Sequence, residues 1–342
     1  MAHEITSQDN LVLREKGAWH GLGVIFEGDK TPREICDEVF PYEVGSRHLY
    51  IKDNDGKLGI VEGHRMNVRT DTGDHLGLVS DKYKIIQPWE MADFAEALVE
   101  DGDTKVKVET AGSIQGGKRL WFLLRGEEFN VRDSDTIFPY VLLSNGYDGT
   151  SAFRVTPTTV RAVCANTLFQ SIPRNDSGEK LHSSAIVVRH TVNAMSRIKE
   201  AKKALAGYSR STEETKKVYA VLSTADINSE AVKQFFLESY TTDFGAIPEN
   251  PQDGWEQSRR DRALSALSSF SRRFDDERGI AGATYWNALN AYTGMVQHDQ
   301  KSRGANDIAR LENRTESNLF GLNAERSSAA LQRAYRSALQ VS

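Results

Sequence analysis

A chain of 342 residues with 39% hydrophobic and 27% charged residues can bury the core of one large domain or two ordinary ones. No apolar run approaches the roughly 18 residues needed to cross a bilayer, and the opening Met1-Ala2-His3-Glu4 has neither the basic flank nor the apolar stretch of an export signal. Two cysteines, Cys36 and Cys164, give no disulfide framework, so a reduced cytoplasmic protein with no membrane role is expected.

The formal net charge of −5 is unevenly spread. Residues 1–150 carry 17 Lys and Arg against 27 Asp and Glu, residues 151–217 carry 12 against 5, and residues 218–342 carry 14 against 16. An excess of seven positive charges in the middle segment can hold a local potential that attracts phosphate, even on an acidic chain.

Residues 1–45 read as an N-terminal arm with one short helix. Thr31 is its N-cap, Pro32 fits the first position, Glu34 completes a capping box and Pro41 stops it. Within the arm, Trp19-His20-Gly21-Leu22-Gly23 suits a special backbone site. Gly21 and Gly23 permit positive φ or close approach, Trp19 pins the loop, and His20 is read as a hydrogen-bonded structural anchor rather than a catalyst.

Residues 46–180 read as an α+β domain built on a mostly antiparallel sheet. The run from Arg47 to Thr70 predicts strand, turn at Asn54-Asp55-Gly56, then strand. A second turn at Asp71–Asp74 leads into the strand HLGLVS, and Tyr83–Ile86 predicts one more. Trp89–Val99 has the spacing of a helix with one buried stripe. Strands are expected at Thr104–Thr110, Arg119–Leu124, Ile137–Ser144 and Ser151–Val155; the unbroken apolar LWFLL predicts cover on both faces. After Pro157, Val160, Cys164 and Leu168 fall at steps of four, which predicts a helix from Thr158 with Cys164 as a buried hydrophobe.

Residues 181–342 read as a mainly helical half. A long amphipathic helix is expected over Ile186–Leu205, ended by Gly207, with another opened by the capping-box spacing of Ser211 and Glu214. Asn228 caps a helix over Glu230–Ser239, and Trp255–Arg273, Thr284–Gln297 and Asn323–Leu339 complete the set.

Several of these stretches carry a family resemblance. Tyr140–Leu168 (YVLLSNGYDGTSAFRVTPTTVRAVCANTL) resembles the signature segment of the phage/plasmid-like family with domain of unknown function 932. Trp19–Gly23, Ser80–Ile86, Gly116–Leu120, Thr284–Thr293 with His298, and Asn313–Ser317 with Phe320-Gly321 resemble the same family. The resemblance implies a mobile-element origin and assigns no chemistry.

Chemical motifs are absent: no phosphate loop, no zinc helix, no paired Cys-x-x-Cys and no nucleophile elbow. The eight histidines show no metal-ligand spacing, and Asp53-Asn54-Asp55-Gly56 fits a hairpin turn better than a calcium loop. No catalytic residue, cofactor or metal is therefore expected. The basic residues carry the functional reading. Lys118, Arg119 and Arg125 flank the apolar strand, Arg154 and Arg161 follow, and Arg189, Arg197, Lys202 and Lys203 populate the long helix. Spread over a sheet and an adjacent helix they can track a phosphate backbone, with Tyr140, Tyr147 and Phe153 available to stack on bases. The expectation is a non-enzymatic nucleic-acid-binding accessory protein of a phage or plasmid, acting in replication, recombination or protection, by single-strand binding or annealing and able to form a homo-oligomer. The alternative is a factor that binds a host protein, for example in counter-defence.

Overall fold

The computed structural model describes residues 11–13, 24–25, 30–100, 105–132, 135–161, 167–169, 186–191, 193 and 206–341. Trp19, His20, Gly21, Gly23, Cys164, Arg197, Lys202 and Lys203 lie outside them.

The chain begins with two short strands, β1 (Leu11–Leu13) and β2 (Val24–Ile25), and helix α1 (Pro32–Val39). The Thr31 hydroxyl accepts from the Glu34 amide and the Glu34 carboxylate accepts from the Thr31 amide, so the expected capping box forms. Strands β3 (Val44–Lys52), β4 (Leu58–Arg69) and β5 (His75–Ser80) make a separate antiparallel sheet in that order. Its first turn is set by Asp53, whose Oδ1 accepts from the Asp55 and Lys57 amides, and by Gly56 at φ +84°.

Helix α2 (Pro88–Val99) precedes the main sheet, which contains β6 (Lys107–Ile114), β7 (Arg119–Arg125), β8 (Phe129–Val131), β9 (Asp135–Gly146), β10 (Phe153–Arg161), β11 (Thr167–Phe169) and β12 (Ile186–Val188). Its order is β11-β10-β9-β7-β6-β1-β2, with β12 on β10 and β8 on β9; among the described residues every pairing but β1–β2 is antiparallel. The LWFLL strand is buried throughout, as its unbroken apolar run predicts.

Helices then dominate: α3 (Ala206–Thr224), α4 (Ser229–Phe244), α5 (Gly254–Ala281), α6 (Tyr285–Gly294) with a π-helical extension Met295–Asp299, α7 (Asp307–Leu319) and α8 (Leu322–Ala338). The chain is thus mixed α+β, with antiparallel sheets first and helices after. Among the described residues no helix is long and apolar enough to cross a membrane.

Four expectations are corrected. Tyr83–Ile86 forms no strand; the Tyr83 hydroxyl instead donates to the Gly146 carbonyl and the Lys84 carbonyl accepts from His190. Thr158–Arg161 is strand, not helix, because its Thr- and Val-rich run pairs with β9 on one side and β11 on the other. Pro157 sits in the gap between β12, which pairs residues 153–155, and β11, which pairs 158–160, so it interrupts neither ladder. Ile186–Val188 is strand β12 rather than the start of a helix. Gly207 and Ser211 lie inside α3 rather than ending one helix and opening the next: Tyr208 packs on the sheet, Val218 and Tyr219 pack in the helical core, and one continuous helix satisfies both. Helix α7 was not foreseen.

Three cores result. One face of the main sheet (Leu120, Phe122, Leu124, Leu143, Phe153) packs on α1 and α2. The other (Trp121, Leu123, Tyr140, Leu142, Val160) meets the α7–α8 junction at Leu319 and Ala324. The helices close on Trp286, Tyr292, Phe236 and Phe270, where the Trp286 indole donates to the Asp135 carboxylate at 2.7 Å.

Candidate functional site

The sheet register places most of the described basic candidates. Trp121 pairs with Ser144, Ser144 with Arg154 and Arg154 with Val187, so these four share one face. Arg119 lies on that face two residues before Trp121, and Arg189 follows Val187 by two. The β10–β12 pairing ends with Phe153 opposite Val188, so one further step sets Arg189 beside Ala152. Arg119, Arg154 and Arg189 therefore gather at one end of the sheet, beside the loop from Gly146 to Ala152.

A cleft of about 380 Å³ opens there. Arg119, Arg154, Ser144 and Ser151 line its sheet side, and Phe320 and Ala324 its helical side. Arg119 is fixed: its guanidinium donates to Glu316 at 3.0 Å and to the Ser151 hydroxyl at 2.6 Å, and it lies over the Phe320 ring. Arg154 and Arg189 are exposed, and among the described residues neither side chain has a hydrogen-bond or ionic partner. Ser144 is only 5% exposed, yet its hydroxyl also has no partner among the described residues.

Helix α8 begins at this cleft. Its N-cap, Gly321, offers no side chain, and the Leu322 and Ala324 amides find no acceptor among the described residues. Unsatisfied N–H groups at a helix start carry the positive end of the helix dipole. Glu325 lines the cleft and is its opposing charge, while Glu316 is engaged with Arg119. Two exposed, unpartnered guanidinium groups, a fixed guanidinium, a serine hydroxyl and a helix start together suit an anionic oxygen ligand.

The loop is held from behind. The Asn67 amide donates to the Tyr147 carbonyl at 2.9 Å, and the Asn145 amide to the Ile86 carbonyl at 3.0 Å. Tyr83 stacks on His190 at 4.4 Å. His190 Nδ1 is 2.9 Å from the Lys84 carbonyl, which can only accept, so Nδ1 carries the proton and the buried Nε2 is bare. Burial holds this imidazole below the usual histidine range, partly offset by the Lys84 carbonyl and the Asp148 carboxylate.

The remaining candidates are elsewhere. Arg125 ends β7 away from the cleft, against Glu128 at 3.1 Å and Glu109 at 3.6 Å and over the Phe138 ring. Lys118 is half-buried before β7, and Arg161 pairs through its backbone with Ile137. Tyr140, Tyr147 and Phe153 are fully buried, so none is available to stack on a base. The aromatic edge of the cleft is Phe320, which sequence reasoning did not select. The hydroxyl-rich alternation of Ser144, Ser151, Arg154 and Thr156 around one hairpin was the signal that could have found the site.

A family model described as a domain of unknown function (DUF932) matches residues 75–319. None of the curated proteins and none of the solved structures matches the chain.

Proposed function

The chain belongs to the DUF932 family, and we propose that it is a nucleic-acid-binding accessory protein of a mobile element, taking the phosphate backbone of a single strand along the Arg119–Arg154 cleft and the neighbouring Arg189. The observation that carries this reading is the grouping of three arginines on one sheet face, two of them without partners among the described residues, with Arg119 and Arg154 lining a cleft against a helix start whose Leu322 and Ala324 amides find no acceptor there. Charge supports it: residues 151–217 hold 12 Lys and Arg against 5 Asp and Glu, inside a chain of net −5. Neutral ligands would leave Arg154 and Arg189 without a role. Readout of base identity is not part of the proposal, since the aromatics near the hairpin are core residues.

Single strands release about 0.7 counterion per neutralised phosphate. Three arginines that each meet one phosphate give a log–log salt slope near −2, so raising salt fourfold weakens binding roughly 20-fold. Fluorescence anisotropy with a labelled oligothymidylate at 50 and 200 mM salt tests this. Arg154→Gln should flatten the slope by about 0.7. A salt-independent affinity, or no binding at 50 mM salt, rejects the reading.

A further inference from the structure

Residues 46–65 form a two-stranded arm that is largely exposed among the described residues. β5 pairs with β4 only from His64 onward, and the outer edge of β3 has no strand beside it among the described residues. Ser46–His48 and Tyr50–Lys52 of β3, and Leu58–Ile60 and Glu62–His64 of β4, are exposed. The arm is also apolar: Tyr50, Ile51, Leu58 and Ile60 are 57%, 63%, 66% and 53% exposed. Tyr50 pairs with Ile60 and Lys52 with Leu58, so these share one face, and Ile51 lies on the other. A lone hairpin is at best marginal in water, and an open apolar edge is a template for another strand.

We propose that the β3 edge pairs antiparallel with the β3 edge of a second copy of this chain, about a two-fold axis at Tyr50. The argument is the self-complementarity of residues 47–53, Arg-His-Leu-Tyr-Ile-Lys-Asp. Set antiparallel about Tyr50, Arg47 of each copy faces Asp53 of the other, the first residue past β3, whose Oδ1 holds the turn amides and whose Oδ2 is left for the ion pair, while Leu49 faces Ile51, His48 faces Lys52, and the two tyrosines meet. Opposite charges and apolar pairs stabilise facing positions. A shift of one residue sets Arg47 against Lys52, a like-charge pair, in one direction and Leu49 against Lys52 in the other, and a shift of two sets Arg47 against Ile51 or Leu49 against Asp53. The edge itself is continuous: the irregularity between His48 and Tyr50 arises in β4, where the four residues between Ile60 and Arg65 stand opposite Leu49 alone. A nucleic acid fits this arm less well, because its four cations (Arg47, Lys52, Lys57, Arg65) are nearly balanced by Asp53, Asp55 and Glu62 among exposed aliphatic side chains.

Seven residues a side make a small interface, below the standard of about 1,600 Å², so the dimer should be weak and exchange rapidly with monomer. Sedimentation of the full chain from 1 to 200 µM tests the proposal. The wild type should rise from its 38.2 kDa monomer mass toward twice that value. Ile51→Lys and Arg47→Asp should each weaken association at least tenfold, with circular dichroism and melting unchanged because both side chains are exposed. In a Cys164→Ser background, Tyr50→Cys should form an intermolecular disulfide on mild oxidation, since facing Cα atoms in an antiparallel pair lie about 4.5–5.5 Å apart. Ile60→Cys, one strand further in, should not. A monomer at every concentration, an oligomer untouched by Ile51→Lys, or equal cross-linking at residues 50 and 60 overturns it.

Discussion

Gly77→Ala is the substitution that most directly tests how the cleft is built. Gly77 lies in β5, and a Cβ placed there would fall 2.3 Å from the Asp148 Cα, 2.9 Å from its carbonyl carbon and 3.0 Å from its oxygen. Carbon atoms prefer at least about 3.5 Å, and the obstacle is backbone, so β5 and the Gly146–Ala152 loop must separate by about 1.2 Å. That movement would stretch the Asn67–Tyr147 and Tyr83–Gly146 hydrogen bonds, now 2.9 and 2.6 Å, beyond or near useful length. Overpacking strain of about 1–3 kcal/mol and about 1 kcal/mol for each weakened bond are offset by up to 1 kcal/mol of unfolded-state entropy. The net expectation is a loss of about 2–5 kcal/mol in urea unfolding, with weaker oligothymidylate binding as Ser151 shifts from Arg119. Gly59→Ala is the control, since a Cβ there meets nothing within 4 Å. A Gly77→Ala protein within 0.5 kcal/mol of wild type, or one no less stable than Gly59→Ala, would refute the reasoning.

His190 should make stability pH-dependent. Its native pKa is depressed by burial below the unfolded value of about 6.5, so its contribution is intact above that pH and is lost as pH falls toward the native value. The stability difference between wild type and His190→Gln should therefore shrink between pH 7.5 and 5.5 in urea titrations; a constant difference contradicts this. Cys36 is buried and its thiol is pushed up to about 12, so in a Cys164→Ser background no thiol should react with a disulfide reagent at pH 8 until urea is added. Arg333→Met removes the guanidinium that meets the buried Asp243 at 2.9 Å and Ser239 at 3.0 Å, and should cost about 3–5 kcal/mol in the same unfolding assay.

Local chemistry made the first half of the fold readable. Asp-Gly turns, the Thr31–Glu34 capping box and the unbroken LWFLL run each specify their structure within a few residues. The segment after Pro157 was misread because steps of four between Val160, Cys164 and Leu168 also fall on alternate positions of a strand; β-branched content was the better guide. α3 ignored its internal Gly207 and Ser211 signals because burial of Tyr208 and Tyr219 at its two ends outweighs a cap. The cleft was only half legible. The run from Ser144 to Arg154 displays its polar side, but the contact of Arg119 with Glu316 joins residues 197 apart, and Phe320 and Gly321 enter only through the α7–α8 junction. Nothing local in a sequence encodes such a meeting.

The central claim is that a single strand lies in the cleft between the β9–β10 hairpin and the start of α8. Photo-cross-linking of a halogenated oligonucleotide to the full chain at low salt, followed by peptide mapping, locates the strand without assuming which residues hold it. Cross-links should concentrate in peptides covering residues 144–156 and 319–328, and Arg154→Gln should reduce them severalfold while Arg125→Gln leaves them unchanged. Cross-links confined to other surfaces, or an unchanged pattern in Arg154→Gln, would contradict the account.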